Sequence, residues 1–408
     1  MKQLASTRGR GQHGYGLVGA LLFALALFGY PIVGTLNSLL GIEDRFLSVA
    51  FRMLVAVVSL FIFAALGRWR IRYWHLPILL IWCALVFRLS FDILVAHIEG
   101  VDYALQLFIV GSVLPVLALW KLGAYDQMRF AVAGFTAACI GSLSSLFANY
   151  LGAFGEADLT EVTGRLSSVS LNAVSLGHLA VSGIFCGLVL WRQVVPWKRI
   201  PIAMAMAGML LVMVQTGSKG PVAALAVALL VWSARRGRGG RLIALAIPVI
   251  VTLALYGDSP IADRMMAVNE DPSTHERIVL IQDSLQQIAS SPWFGSASVE
   301  LNTGYYPHNI LLEAAMSFGI PLTTILVAVL VRGWIVSWRL LNTDGDLVAL
   351  LFIQALVISQ LSGALFADSL MWFCLMAVIA LDSGVRRVRR RKMQRPPRTS
   401  SGPEATAT

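Results

Sequence analysis

The stretch NILLEAAMSFGIPLTTILVAVLV, residues 309–331, decides the fold class. It contains a single charged side chain, Glu313. A transmembrane α-helix needs about 20 predominantly apolar residues, because about 30 Å of hydrocarbon must be crossed at about 1.5 Å per residue. The run is therefore predicted to be a membrane-spanning helix whose backbone groups are satisfied internally.

The composition extends this prediction to the whole chain. Of its 408 residues, 57% are hydrophobic and 13% are charged, whereas soluble domains carry about 25% charged residues. Apolar runs of similar length recur throughout, which argues against the string of soluble domains that the length alone would suggest. We predict an all-α polytopic membrane protein with about 12 transmembrane helices. Their predicted bounds are 16–37, 46–66, 76–96, 102–119, 130–150, 168–191, 200–215, 220–234, 241–256, 309–331, 346–362 and 367–383.

The predicted domain organisation is simple. Residues 1–385 form one transmembrane domain, and a larger periplasmic loop, 257–307, is inserted between the ninth and tenth spans. Residues 386–408 are basic and then rich in Pro, Ser and Thr, which predicts a disordered cytoplasmic tail. A basic leader precedes the first span without a small-residue cleavage site, so this span is predicted to remain as a helix.

The basic residues predict the orientation. There are 32 Lys and Arg residues, and the net charge is +10. With both termini placed in the cytoplasm, only seven lie off the cytoplasmic side, which leaves 25 in the leader, the cytoplasmic turns and the tail. This asymmetry follows the positive-inside rule. Because the charge is scattered over short turns, it favours this explanation over nucleic-acid binding.

The cysteines and the common catalytic motifs give little indication of chemistry. Cys83, Cys139, Cys186 and Cys374 all fall inside predicted spans, and none forms a CxxC pair. They are interpreted as packing residues, with no disulfide, metal or cofactor implied. The chain has no P-loop, HExxH or GxSxG motif, so the sequence gives no indication of ATP hydrolysis, a zinc site or a serine triad.

The seven basic residues off the cytoplasmic side carry the most information, because a cation within the bilayer is costly and is usually functional. They are Arg45, Arg52, Arg88, Arg165, Lys219, Arg264 and Arg277. Arg88 has Asp92 four residues further on, which places both on one helix face. Two interpretations remain open: an ion pair that satisfies itself within the membrane, or a cation that lines a polar cavity.

The segment VQTGSKGP, residues 214–221, joins the seventh and eighth predicted spans by a very short turn. Its small residues would let backbone N–H groups converge into an anion-binding nest, and the N-terminus of the next helix would face the same anion. Lys219 would project from this turn. The alternative is an ordinary hairpin with a snorkelling lysine.

The predicted loop contains an amphipathic helix within STHERIVLIQDSLQQIASSPWFG, residues 273–295. A capping box starts at Ser273, and Ser-Pro ends the helix. Its apolar stripe comprises Ile278, Ile281, Leu285 and Ile288. Arg277 flanks this stripe and either points toward the membrane or pairs with a loop acid such as Asp283 or Glu270.

His308 stands just before the tenth span, between Pro307 and Asn309. Asn309 is predicted to cap that span with its side chain. Histidine is the commonest general base because its reference pKa is about 6.5. The alternative is that His308 is an amphipathic anchor at the membrane interface.

Taken in order, these elements resemble the O-antigen ligase and Wzy-type polymerase superfamily. TGSKG resembles the TGSRG turn of that family, with Lys219 in place of its arginine. PHNILLEAAMSFGIPL, residues 307–322, resembles the HN-x-x-L element, with Leu322 in place of a second glycine. GRLSSVSLNAVSLGH, residues 164–178, resembles an arginine-led entry to a mid-chain span, and the loop helix resembles the family's arginine-led helix. The resemblance covers residues 164–332.

The resemblance implies a GT-C-like fold and a glycosyltransferase at the periplasmic face of the bacterial inner membrane. The donor would be a glycan on undecaprenyl pyrophosphate, and the acceptor would be a sugar hydroxyl of lipid A-core. His308 would be the base, and the pyrophosphate would be held by Arg165, Lys219 and Arg277, with Arg88 as a further cation. The sequence shows no glycosidase-type carboxylate pair and no metal-ligand cluster, so we predict metal-independent direct displacement with inversion at C1.

Two alternative functions remain. A Wzy-type polymerase joins repeat units by the same chemistry, whereas a polysaccharide transporter or flippase would show inverted repeats, which this sequence lacks. One large loop, 257–307, and the short turn at Lys219 favour the ligase, because one roofed donor site beside an opening for a lipid acceptor suffices for it.

Overall fold

The computed structural model describes residues 10–42, 46–66, 75–122, 125–152, 166, 171–236 and 272–393. Within these ranges the chain forms twelve helices, which we number α1 to α12. They are α1 Arg10–Leu39, α2 Phe46–Ala65, α3 Leu76–Leu94, α4 Val101–Leu122, α5 Gln127–Tyr150, α6 Ala173–Trp191, α7 Pro196–Gln215, α8 Lys219–Arg236, α9 Pro272–Ser290, α10 Ile310–Leu340, α11 Asp346–Leu361 and α12 Ser369–Met393. The predicted ninth span, 241–256, the start of the predicted loop, 257–271, and residues 394–408 of the predicted tail lie outside the described residues.

The length and composition of these helices confirm a polytopic membrane protein. Eight are long and apolar enough to cross a membrane: α1 from Gly16 onward, α2 to α7, and α10. Two shorter apolar helices, Asp346–Leu361 and Ser369–Asp382, correspond to the last two predicted spans. The total of twelve spans and the side on which the loop lies remain predictions.

Polar side chains fix where several helices begin. The Asp126 carboxylate accepts hydrogen bonds from the first N–H groups of α5, at 3.1 and 3.3 Å. Asn172 caps α6 through the amide of Val174, at 2.8 Å. The sixth span therefore begins at Ala173 and not at 168 as predicted, because Asn172 satisfies a donor that has no partner within the helix.

The core lies around α6 and α11, whose residues are mostly buried. Gly183 allows α6 to approach its neighbours closely, since a Cβ there would lie 2.4 Å from Ala138 Cβ and 2.6 Å from Met209 Sδ. Gln354 of α11 donates to the Ser182 hydroxyl at 2.9 Å. Small residues and interhelical hydrogen bonds of this kind hold helices together where burial from water offers little driving force.

Helix α10 is broken near the end at which it begins. Phe318 and Gly319 leave the helical conformation, and Gly319 has a φ of 76°. Pro321 lacks the N–H that would bond four residues back, which favours a break here. The helix continues to Leu340, so the segment 332–340, which the predicted bounds place between two spans, is helical. Its polar residues follow a full membrane span and can extend beyond the hydrocarbon.

Candidate functional site

Three helix ends meet at residues 360–368, which comprise the last residues of α11 and the segment that follows it. Arg277 of α9 donates to the Leu361 carbonyl at 2.9 Å and contacts the Ser362 hydroxyl at 3.4 Å. Two residues at the start of α10 bind the same region. Asn309 donates to the Gln360 carbonyl at 3.1 Å, and the buried Glu313 carboxylate accepts from the Leu365 amide at 2.7 Å. The predicted residues Arg277 and His308 are therefore attached to one segment, His308 through its neighbour Asn309.

His308 is held in an uncommon backbone conformation. Its φ is 55°, a left-handed geometry that costs most L-residues about 1–2 kcal/mol. Asn309 accepts hydrogen bonds from Leu311 and Leu312, at 3.0 and 3.1 Å, which confirms the predicted cap of α10. Because the Asn309 cap holds the start of α10 in place, it also holds the backbone of the adjacent His308, and the His308 imidazole is positioned accordingly.

The imidazole is packed against an aromatic side chain. The rings of Tyr306 and His308 lie 4.5 Å apart in an edge-to-face arrangement, and Tyr306 also contacts Phe366 at 5.5 Å. His308 Nδ1 is buried and has no hydrogen-bond partner within the described residues. One ring nitrogen is therefore available for a substrate group or a water molecule.

The surroundings of His308 keep it neutral. Burial, and then the positive charge of Arg277, lower the pKa of His308 to about 4. Burial also raises the pKa of Tyr306 above its ordinary value. Arg277 is thus close enough to His308 to act on it electrostatically. At neutral pH the site presents an uncharged imidazole beside a guanidinium.

The turn that carries Lys219 is short, as predicted. Helix α7 ends at Gln215 and α8 begins at Lys219. Gly217 has a φ of 60°, and the Thr216 hydroxyl donates to the Met213 carbonyl at 2.7 Å and accepts from the Ser218 amide at 3.4 Å. Lys219 is partly exposed at this turn. An anion-binding nest at this turn remains a prediction.

The Lys219 turn adjoins the segment that Arg277 contacts. A Cβ added at Gly220 would lie 3.8 Å from the Ser362 hydroxyl, the same hydroxyl that Arg277 contacts. Gly177 of α6 lets α6 pack closely against Pro221 of α8, since a Cβ at Gly177 would lie 2.5 Å from Pro221 Cγ. The structure therefore brings Lys219, Arg277 and His308 to the same end of the bundle.

Arg165 lies outside the described residues, so its predicted role remains a prediction. The next residue, Leu166, is described, and its amide donates to the Gln215 carbonyl at 3.1 Å. This contact joins the chain just before α6 to the turn that carries Lys219.

Arg88 forms the predicted pair with Asp92. Its Nε lies 2.9 Å from Asp92 Oδ1, and its Nη2 also donates to the Ser296 carbonyl. The second carboxylate oxygen of Asp92 accepts from the Ser298 amide at 2.7 Å. The pair thus anchors the segment after α9 to α3. Its predicted contact with pyrophosphate remains a prediction.

Two buried acids were not predicted as part of the site. Glu313 binds the Leu365 amide, as described above. Asp368 caps α12 through the Met371 amide at 3.1 Å and accepts from the Ser359 hydroxyl. Burial raises the pKa of Asp368 to about 6. A carboxylate within an otherwise apolar stretch was the signal that could have identified both residues. Within the described part of the chain, no three or more His, Cys, Asp or Glu side chains are grouped as a metal site would require.

Part of the chain is similar to a known protein family. Residues 204–327 match the family model Wzy_C, described as O-Antigen ligase. The resemblance to the O-antigen ligase and Wzy superfamily is thereby confirmed. The matched region contains Lys219, Arg277 and His308, whereas Arg88 and Arg165 lie outside it. No curated protein sequence matches the chain. The match supports an activity of the O-antigen ligase or polymerase type, acting on a lipid-linked glycan in a bacterial membrane.

Proposed function

We propose that this protein is an O-antigen ligase-like glycosyltransferase. It moves a glycan from undecaprenyl pyrophosphate to a sugar hydroxyl of lipid A-core, at the periplasmic face of the inner membrane. The observation that carries this proposal is the placement of a neutral, partly unpartnered His308 beside Arg277. Both residues lie within the region that matches the O-Antigen ligase family.

The cations would stabilise the negative charge of the leaving group. When the bond between C1 and the phosphate oxygen breaks, negative charge develops on the pyrophosphate, and fixed positive groups stabilise that charge. Arg277 now donates to a neutral carbonyl and a neutral hydroxyl. A phosphate oxygen would be a stronger, charge-assisted partner. Lys219 supplies a second charge without the bidentate geometry of arginine, and Arg165 and Arg88 are the further cations that we assign to pyrophosphate.

His308 supplies the base in this mechanism. The acceptor hydroxyl gives its proton to the imidazole as its oxygen attacks C1, and undecaprenyl pyrophosphate departs from the opposite face. One bond forms as one breaks, so the configuration at C1 inverts. A pKa of about 4 makes a weak base. A bound pyrophosphate would neutralise Arg277 and raise that pKa, so the donor itself would strengthen the base.

The choice of ligase over polymerase is a finer part of the proposal. It is supported by the short turn between α7 and α8, because one loop over one donor site suffices for a ligase. Deletion of the encoding sequence separates the two, read by gel electrophoresis of lipopolysaccharide. A ligase deletion leaves bare lipid A-core, whereas core bearing a single repeat unit would identify a polymerase.

A transfer assay with lipid-linked donor, on protein in lipid nanodiscs, tests the proposed activity. We expect His308→Asn to abolish transfer, because asparagine tolerates a left-handed backbone and cannot act as a base. His97 provides a matched control, since it also has a left-handed φ, of 53°, and His97→Asn should leave transfer intact. Near-normal turnover of His308→Asn would refute the base assignment. Transfer should also continue in EDTA, and loss of transfer in EDTA would show that the reaction requires a divalent metal.

A further inference from the structure

Helix α9 has three distinct faces. Leu280, Ser284 and Gln287 are buried against the protein. At about 100° per residue, a second face lies roughly 125° around the helix from the first. That second face is apolar and exposed: Ile278, Ile281 and Leu285 are 49%, 39% and 53% accessible. The remaining side is exposed at the polar residues His275, Gln282 and Gln286.

Two aromatic side chains extend this apolar face beyond the end of α9. Trp293 and Phe294 are 69% and 84% accessible. Their backbone is nevertheless held firmly, because it fits against the break in α10. The amide of Ile320 donates to the Pro292 carbonyl at 2.8 Å, and a Cβ at Gly319 would lie 2.4 Å from the Trp293 carbonyl oxygen. The exposed rings therefore project from a fixed position.

The level of this position follows from the length of α10. The helix has 31 residues, or about 46 Å at about 1.5 Å per residue, whereas the hydrocarbon core is about 30 Å thick. Residues 320–340, after the break, span about 31 Å by the same arithmetic. Val331 and Ile335 on this part are 51% and 45% accessible, as lipid-facing residues would be. The outer edge of the hydrocarbon then falls near Gly319 for a span that ends at Leu340, and near the start of α10 for a span that ends at Arg332. In both cases Trp293 and Phe294 lie within about 10 Å of that edge.

We infer that the exposed stripe of α9, together with Trp293 and Phe294, docks onto the lipid bilayer at the boundary between headgroups and acyl chains. The surface is continuous with the lipid-facing side of α10 at Ile320, which is 51% accessible. Interfaces of this kind favour Trp and amphipathic helices that lie flat. The protein-facing, lipid-facing and water-facing sides of α9 match a helix that lies on a membrane against the side of a bundle.

This docking would also set the height of the candidate site. Arg277 lies between the buried face and the apolar stripe of α9, at about 60° from each. A helix seated at the lipid boundary would hold the guanidinium near the level of phospholipid phosphates. This inference rests on the membrane-spanning fold, and it holds whether or not the proposed glycan transfer is correct.

Spin labels at single cysteines test the inference in nanodiscs of phosphatidylethanolamine and phosphatidylglycerol. The background replaces Cys83 and Cys139, which are exposed and partly exposed. Labels at Leu285→Cys and Phe294→Cys should be severalfold more accessible to lipid-soluble oxygen than to a water-soluble nickel chelate. The adjacent Gln286→Cys, on the polar side of α9, serves as the control and should show the opposite preference.

Two outcomes would overturn the inference. Free access of the nickel chelate to positions 285 and 294 would show that the stripe faces water. Protection of both positions from oxygen and nickel, with cross-linked dimers, would assign the surface to a second copy of the chain. The double variant Trp293→Ser/Phe294→Ser should reduce the oxygen preference at position 285, and an unchanged preference would count against anchoring by the aromatic pair. None of these measurements depends on transfer activity.

Discussion

Asp92 accepts a hydrogen bond from the backbone amide of Ser298 at 2.7 Å, across 206 positions of the chain. Its other carboxylate oxygen binds Arg88, whose guanidinium reaches the carbonyl of Ser296. The side chain of Asp92 is fully buried. An ion pair formed within one helix thus also binds the backbone of a distant segment, and this distinguishes it from a pair that only neutralises itself.

The first prediction concerns this pair. Asp92→Asn should lower thermal stability, because removing one partner of a buried pair costs about 3–5 kcal/mol and leaves Arg88 without its counter-charge. The double variant Arg88→Leu/Asp92→Leu should be less destabilised, since no uncompensated charge remains. Melting of detergent-solubilised protein measures both. A double variant that melts below Asp92→Asn would indicate that the bonds to Ser296 and Ser298 matter more than charge balance.

The second prediction concerns the cations near His308. Lys219→Arg should retain or raise transfer activity, and Lys219→Ala and Arg277→Ala should each lose most of it, because both charges offset the pyrophosphate. Arg52 offers a matched control, because it lies near the end of the bundle opposite the basic turns and already binds the Tyr103 hydroxyl at 2.9 Å. Arg52→Ala should leave transfer near normal. An equal loss in Arg52→Ala would point to a general effect of removing surface charge.

The third prediction concerns pH. The neutral form of His308 is the active base, so kcat/KM should rise as pH increases through about 4 and stay level above it. In Arg277→Gln the acid limb of the residual activity should move to higher pH, because one of the two causes that lower the pKa is gone. Asp368, whose pKa is about 6, could produce a separate limb, and Asp368→Asn identifies it. A single limb at the ordinary histidine value of about 6.5 would contradict the described surroundings of His308.

The fourth prediction concerns the break in α10. Gly319→Ala should destabilise the protein by more than about 1 kcal/mol, since its φ is 76° and the added Cβ would meet the backbone of Trp293. Gly208 of α7 has open space at its Cβ position, and Gly208→Ala should be neutral or mildly stabilising. Protease sensitivity near residue 293 and the melting temperature measure the effect. Equal melting temperatures for the two variants would mean that the backbone at Trp293 can move to accommodate the added Cβ without loss of stability.

The local parts of this structure could be predicted from the sequence. The Asn309 cap and the Arg88–Asp92 pair each join residues within four positions, where helix geometry alone determines the neighbours. The membrane-spanning helices follow from apolar runs whose length matches the bilayer. The Lys219 turn is short because so few residues separate two such runs.

The long-range parts of the site could not be predicted in the same way. Arg277 binds Leu361 and Ser362, more than eighty positions away, and no pattern within α9 identifies that partner. The apolar stripe of α9 is a similar case. Three of its four predicted members, Ile278, Ile281 and Leu285, lie on the exposed face, but periodicity alone does not tell a stripe that faces protein from one that faces lipid. The buried Leu280, Ser284 and Gln287 show that the protein-facing side of α9 is partly polar.

The fit between the segment 292–296 and the break in α10 has a consequence for how this region can evolve. Its bonds run from backbone to backbone, between Pro292 and Ile320 and between Ser296 and Met316. Apart from Gly295 and Gly319, whose φ values are positive, side chains here can change without loss of the fit. An inserted or deleted residue would instead put every bond out of register. Among related proteins, this region should keep a constant length, and outside the two glycines and the apolar positions 293 and 294 its composition should vary.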